Sequence, residues 1–230
     1  MVRQDQLWDG GPLFYFDTGL FPPTTDSFAL GYFARPGRGN AVCDLGCGTG
    51  LLGALLLARE PSLRLVNVER DADALSLARR TFAENGWEAD FRAGDLRDAA
   101  VLPAAGSMDY AVCNPPYFRS GSGRRADGEA RQNAREETQC TLAEVCAAAA
   151  RSLRWSGGFA LVHRPERLTD LLCELRGHGL EPKRLRFVTQ RSGAAPSLVL
   201  IEAKRGGRPG LSIEPALVIG GEEWDKVYFR

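Results

Sequence analysis

One stretch limits the fold of this chain more than any other: Ala41-Val42-Cys43-Asp44-Leu45-Gly46-Cys47-Gly48-Thr49-Gly50, an apolar run that meets a glycine-rich turn and continues into a helical pattern from Leu51 to Arg59. Strand, tight turn and helix in that order bring backbone N–H groups close to whatever binds at the turn. Such a unit needs parallel neighbours reached through crossover helices. The chain supplies them, because strand-like and helix-like segments alternate from about residue 41 onward, as a mostly parallel sheet flanked by helices requires.

Asn40 to Asp44 reads as the first strand and Leu63 to Glu69 as the second. A helix starts near Asp71, whose carboxylate can cap free N–H groups, and ends at Asn85-Gly86, where glycine tolerates the left-handed turn. Asp90 to Ala93 and Met108 to Cys113 are the third and fourth strands. The pattern then predicts a helix over Thr141 to Leu153 stopped by Gly157-Gly158, a strand over Phe159 to His163, and a helix over Glu166 to Arg176 stopped by Gly177. Leu185 to Gln190 and Leu198 to Ala203 read as a C-terminal antiparallel hairpin, which completes a seven-stranded α/β sheet. Residues 1–39 form an N-terminal cap with a helix over Asp26 to Phe33, residues 40–205 the core, and residues 206–230 a tail with a candidate strand over Ala216 to Ile219. One domain over 1–230 is the expectation.

Hydrophobic residues make up 44% of the chain and charged residues 25%, which argues against both disorder and a membrane protein. No apolar run approaches a membrane span, and Met1-Val2-Arg3-Gln4-Asp5-Gln6 lacks a secretory signal, so a cytoplasmic location and no membrane partner are expected. The six cysteines contain no C-x-x-C pair and there are two histidines, so no metal site is expected. Cys43, Cys113 and Cys146 fall in apolar patterns, where a reduced cysteine acts as a small hydrophobe. Charge is balanced at 29 basic against 29 acidic residues, but arginines gather at 119, 124, 125, 131 and 135, and seven Lys or Arg lie between 181 and 208. Both groups can form a phosphate-facing surface or an ordinary solvated one.

Gly46, Gly48 and Gly50 follow the carboxyl end of a strand, where open parallel sheets bind their ligands. On their own they suit a dinucleotide or a purely structural turn. Asp44 shifts the balance: a carboxylate there repels a pyrophosphate but accepts hydrogen bonds from a cationic ammonium. Glu69, at the end of the second strand, can receive the two hydroxyls of a ribose. Asp95 can accept from an adenine amino group, with Leu96 beside the ring. Three carboxylates at successive strand ends make S-adenosyl-L-methionine the leading cofactor.

Asn114-Pro115-Pro116-Tyr117 ends the fourth strand. An amine on a heteroaromatic ring, or an amide nitrogen, is a poor nucleophile because its lone pair is delocalised. The Asn114 side-chain oxygen and the Pro115 carbonyl can each accept one of its N–H groups, turning the lone pair toward the methyl donor and stabilising the developing positive charge. Pro115 and Pro116 hold that carbonyl rigidly, and Tyr117 can stack on an extruded base.

With these motifs the chain resembles the bacterial tRNA1(Val) adenine-37 N6-methyltransferases. Thr24-Thr25-Asp26-Ser27-Phe28-Ala29-Leu30-Gly31, the run Arg131 to Thr138, and the ending Leu217-Val218-Ile219 through Tyr228 add to the likeness. The resemblance implies a Rossmann-like class I methyltransferase fold and N6-methylation of an adenosine beside a tRNA anticodon. It implies that Thr25 and Asp26 line the cleft, that Cys47 and Arg70 join the cofactor set, and that Phe118, Arg124, Arg125 and Arg131 meet RNA. A monomer is expected. Release-factor glutamine N5-methyltransferases resemble the chain through the same Asn-Pro-Pro-Tyr, but they carry a helical substrate domain ahead of the sheet, for which there is little room before Ala41. A non-catalytic RNA-binding module is the third reading, disfavoured by intact Asp44, Glu69 and Asn114.

Overall fold

The computed structural model describes residues 1–17, 23–115 and 140–228. A hairpin of β1 (Val2–Gln6) and β2 (Leu13–Asp17) opens the chain and α1 (Thr25–Phe33) follows. Then come β3 (Ala41–Leu45), α2 (Leu51–Arg59), β4 (Arg64–Glu69), α3 (Ala72–Glu84), β5 (Ala89–Ala93) and β6 (Met108–Cys113). Beyond these lie α4 (Leu142–Ser152), β7 (Leu153–His163), α5 (Leu168–Gly177), β8 (Leu180–Thr189), β9 (Pro196–Arg205) and β10 (Ser212–Val218).

The sheet has the order β10-β8-β9-β7-β6-β3-β4-β5. β5, β4, β3, β6 and β7 run parallel, β9 runs against β7 and β8, and β10 lies parallel to β8. The seven expected strands are all present, and β10 extends the sheet at its edge. From β3 the chain steps outward through β4 to β5, then returns to place β6 on the other side of β3. That reversal opens a crevice at the carboxyl ends of β3 and β6, the position where such sheets bind ligands.

Each face of the sheet carries its own apolar layer. Val42, Leu65, Val112, Val162 and Leu200 meet α1, α2 and Phe82 on one side. Cys43, Ala111, Phe159, Leu161 and Ile201 meet Val145, Cys146, Ala149, Leu171 and Leu175 on the other. The cap on α3 forms as expected, with Asp71 accepting from the Asp73 and Ala74 N–H groups at 3.0 Å each. Thr141 and Glu144 close a reciprocal capping box at the start of α4.

Two features differ from expectation. Gly157 and Gly158 do not stop α4; the chain passes from Ser152 directly into β7, and the glycines sit inside that strand. A side chain at Gly158 would collide with the Tyr110 ring, so close approach explains the glycine. The cap holds a hairpin that the sequence pattern does not reveal, since all five residues of β1 are exposed and show no alternation. That hairpin rests on α3, where Thr81 Oγ1 accepts the Tyr15 N–H at 3.0 Å and Asn85 exchanges hydrogen bonds with the Leu13 backbone.

The tail does more than trail from the core. Glu223 accepts from Arg186 at 2.5 and 2.8 Å and from the Tyr32 hydroxyl of α1 at 2.9 Å. The Tyr228 ring lies 4.7 Å from that of Phe28, centroid to centroid. Arg184 donates to the Phe33 carbonyl at 3.2 Å, and Arg59 to that of Gly31 at 2.5 Å. α1 is therefore pinned to α2, to β8 and to the tail, all of them later parts of the chain.

Candidate active site

A cavity of about 350 Å³ opens at the crevice between β3 and β6, within the size range of small-molecule sites. Its walls come from the start of α1, the turn after β3, the start of α2, the ends of β4 and β5, the residues after β6, and Cys140.

The turn after β3 is bound to the end of β4. The Gly46 and Cys47 N–H groups donate to the Val68 carbonyl at 2.9 and 3.1 Å, and the Gly48 N–H donates to Glu69 Oε2 at 2.9 Å. The other Glu69 oxygen accepts the Asp71 N–H at 2.9 Å. A carboxylate has about four acceptor positions, so Glu69 braces the turn and still has lone pairs for a ligand. Gly46 has φ +73° with open space around a would-be Cβ, so backbone conformation demands the glycine. Gly50 also has positive φ, but a Cβ there would lie 2.9 Å from that of Ala78. It therefore serves helix packing, and it does not line the cavity.

Asp44 lines the cavity although only 1% of its surface is exposed. Burial pushes its carboxyl up to about 7, with repulsion from Glu69 adding to the rise and a hydrogen bond from the Gly53 backbone opposing it. Its Oδ2 has no hydrogen-bond partner among the described residues. A buried acceptor without a donor is costly, and an ammonium group from the cavity would satisfy it. The site thus suits S-adenosylmethionine by its own chemistry: a lone buried carboxylate oxygen for the ammonium, Glu69 for hydroxyls, and an apolar floor from Leu51, Leu52 and Val68.

Asp95 and Leu96 reach the cavity with Gly94. Both Asp95 oxygens accept from Arg97, Oδ1 from Nε at 3.0 Å and Oδ2 from the guanidinium at 2.6 Å. Hydrogen bonding to Arg97 holds the Asp95 carboxyl below its usual range. Cys47 and Arg70 lie on the walls. So does Asp26, whereas Thr25 does not; the cavity takes Thr24, Asp26 and Ser27 instead. Side chains turn by about 100° per helical residue, which carries Thr25 off the face that Asp26 and Ser27 share.

Asn114 and Pro115 form the opposite wall. Asn114 Nδ2 donates to Ser27 Oγ at 2.9 Å. Pro116, Tyr117, Phe118, Arg124, Arg125 and Arg131 lie outside the described residues. Sequence reasoning missed Ser27, Thr49 and Cys140. The segment Thr24 to Gly31 hinted at the first and the glycine-rich turn enclosed the second, while nothing in the pattern marked Cys140.

The basic run between 181 and 208 is divided by the fold. Arg184 pairs with Glu202 at 3.1 Å and Glu214 at 2.9 Å, and Arg186 pairs with Glu223. These two arginines are committed to carboxylates of the same chain and do not belong to a phosphate-facing surface. Among the described residues no helix is long and apolar enough to cross a membrane.

The model of the methyltransferase small domain matches residues 30–172. The chain is 28% identical over 190 residues to the tRNA1(Val) (adenine(37)-N6)-methyltransferase of Phocaeicola vulgatus, covering 83% of this chain and 80% of that one. It is 31% identical over 183 residues to the enzyme of the same name from Aeromonas hydrophila, covering 79% and 76%. A crystal structure of a predicted O-methyltransferase from Agrobacterium tumefaciens superposes with a TM-score of 0.72 at 18% identity, over 89% of this chain and 95% of that one.

Proposed function

Since the chain belongs to the methyltransferase small domain family, we propose that it transfers a methyl group from S-adenosylmethionine to the exocyclic N6 amine of an adenosine in tRNA, beside the anticodon. The observation that carries this reading is the cavity that joins Asp44, Glu69 and Asp95 on one side to Asn114 and Pro115 on the other. The relatives named for adenine-37 N6-methylation match over most of the chain and supply the acceptor. A tRNA substrate fits a cytoplasmic enzyme.

When bound, the cofactor supplies an electrophilic methyl group on a sulfonium. Asp44 accepts from its ammonium, Glu69 from its ribose and Asp95 from its adenine, while Cys47 and Arg70 flank it. Asn114 Oδ1 and the Pro115 carbonyl accept the two N–H groups of the acceptor amine, freeing its lone pair and stabilising the charge that develops on nitrogen. Pro116 stiffens that segment, Tyr117 stacks on the base, and Phe118, Arg124, Arg125 and Arg131 engage the RNA. The proton leaves after methyl transfer, so no strong base is needed.

Incubation with labelled cofactor and either total tRNA or release factors tests the reading. Label is expected in tRNA, in a nucleoside that mass spectrometry identifies as N6-methyladenosine. Label confined to protein would replace the proposal with glutamine N5-methylation.

A further inference from the structure

We propose that Ser27 is a positioning residue for methyl transfer, acting through Asn114; the inference rests on Asn114 presenting the acceptor amine. An asparagine amide has an acceptor end and a donor end of nearly the same shape. Only the oxygen end can help an amine, because Nδ2–H facing an amine N–H sets donor against donor. Something must therefore claim the donor end. Ser27 Oγ accepts from Asn114 Nδ2 at 2.9 Å, and both residues line the cavity.

The partner is well placed for this task. Ser27 is 8% exposed, so water competes little for the bond. It rides on α1, which is held at several points beyond Ser27. Tyr32 donates to Glu223 at 2.9 Å, Arg184 to the Phe33 carbonyl at 3.2 Å, and Arg59 to the Gly31 carbonyl at 2.5 Å. Gly31 allows the helix to lie against Leu55, to which a Cβ would come within 3.1 Å. A hydroxyl fixed in this way, accepting from Nδ2, restrains the Asn114 side chain before substrate arrives. That lowers the cost of reaching the transition state rather than tightening the cofactor.

The test compares Ser27→Ala, Ser27→Thr and Asn114→Ala, using total tRNA and labelled cofactor, with cofactor affinity measured separately by calorimetric titration. Ser27→Ala is expected to lower kcat by about tenfold, the cost of one lost hydrogen bond that matters at the transition state. The KM for tRNA and the Kd for cofactor should stay within about twofold of the parent values, since uniform binding is not touched. Ser27→Thr retains the hydroxyl and should recover most of kcat. Unchanged kcat in Ser27→Ala, or a kcat loss matched by weaker cofactor binding, would overturn the inference and leave Ser27 as a wall residue. Asn114→Ala separates the two levels. Its full activity would remove the proposed chemistry itself, whereas its inactivity beside an active Ser27→Ala would remove only the role of Ser27.

Discussion

Glu69 Oε2 accepts the backbone N–H of Gly48 at 2.9 Å, so one carboxylate at the end of β4 shapes the turn that follows β3. Because the other oxygen takes the Asp71 N–H, Glu69 sets two backbone segments at once. Removing it should unfasten the turn as well as remove a ligand. Glu69→Ala is expected to cost about 2 kcal/mol of stability, the worth of hydrogen bonds to a charged group, and to weaken cofactor at least about tenfold, or ~1.4 kcal/mol. Glu69→Gln should fare little better, since its amide sets an N–H against one of those donors. Urea unfolding and calorimetric titration measure the two effects, and loss of affinity with unchanged stability would show that Glu69 touches ligand alone.

Asp44 gives the protein a pH signature. Its folded value, about 7, lies above its ordinary value of 3.8, so folding favours the protonated acid. The stability this contributes is complete below the ordinary value and is lost as pH rises through about 7. Unfolding free energy measured without cofactor should fall across that window in the parent protein and stay level there in Asp44→Asn. Cofactor affinity should move the other way, rising with pH as the ionised carboxylate becomes available to an ammonium. Parallel profiles for parent and variant would refute both statements.

Arg124 and Arg125 lie outside the described residues, so their prediction rests on charge alone. Joint substitution Arg124→Glu and Arg125→Glu should weaken tRNA binding and flatten its salt dependence. The slope of log K against log salt should drop by roughly 0.7 to 0.9 for each phosphate that is no longer neutralised. Filter binding between low and moderate salt measures it, and an unchanged slope would assign both residues to solvated surface.

Glu223 joins Arg186 to Tyr32. Arg186 is 7% exposed, and Glu223→Ala would leave its charge without this partner. Because the Glu223 side chain is 42% exposed, solvent screening limits the expected loss to about 1–2 kcal/mol. Hydrogen bonding to Arg186 holds the Glu223 carboxyl down at about 2. Its contribution is therefore present above the ordinary carboxylate range and lost as pH falls through about 2. The stability gap between parent and variant, read by urea unfolding, should be full at neutral pH and close in strong acid; a constant gap would assign the effect to packing.

What could be read from sequence was local and periodic. Strand, turn and helix around Gly46, the cap at Asp71 and the apolar face of Val145, Cys146 and Ala149 each depend on neighbours a few residues away, and each stands where expected. That Asp44, Glu69, Asp95 and Asn114 would face one cavity followed from the strand order, since strand ends of a parallel sheet converge on one crevice. The parts that escaped depend on distant partners. β1 has no apolar face to announce it, Arg184 and Arg186 look like solvent-facing cations until Glu202, Glu214 and Glu223 arrive, and Ser27 gains meaning only when the fold sets it against Asn114.

The bond between Tyr32 and Glu223 spans 191 residues of chain. At synthesis rates of about 5–20 residues per second, Tyr32 would wait roughly ten to forty seconds for its partner. α1, and the Ser27 hydroxyl with it, would spend that interval without Glu223 or Tyr228 to hold it. Pairings of such long range also slow folding once the chain is complete. The wall of the cleft that meets Asn114 is thus made early and fastened late, and a newly made molecule should be able to bury its β3–α2 core well before it can methylate.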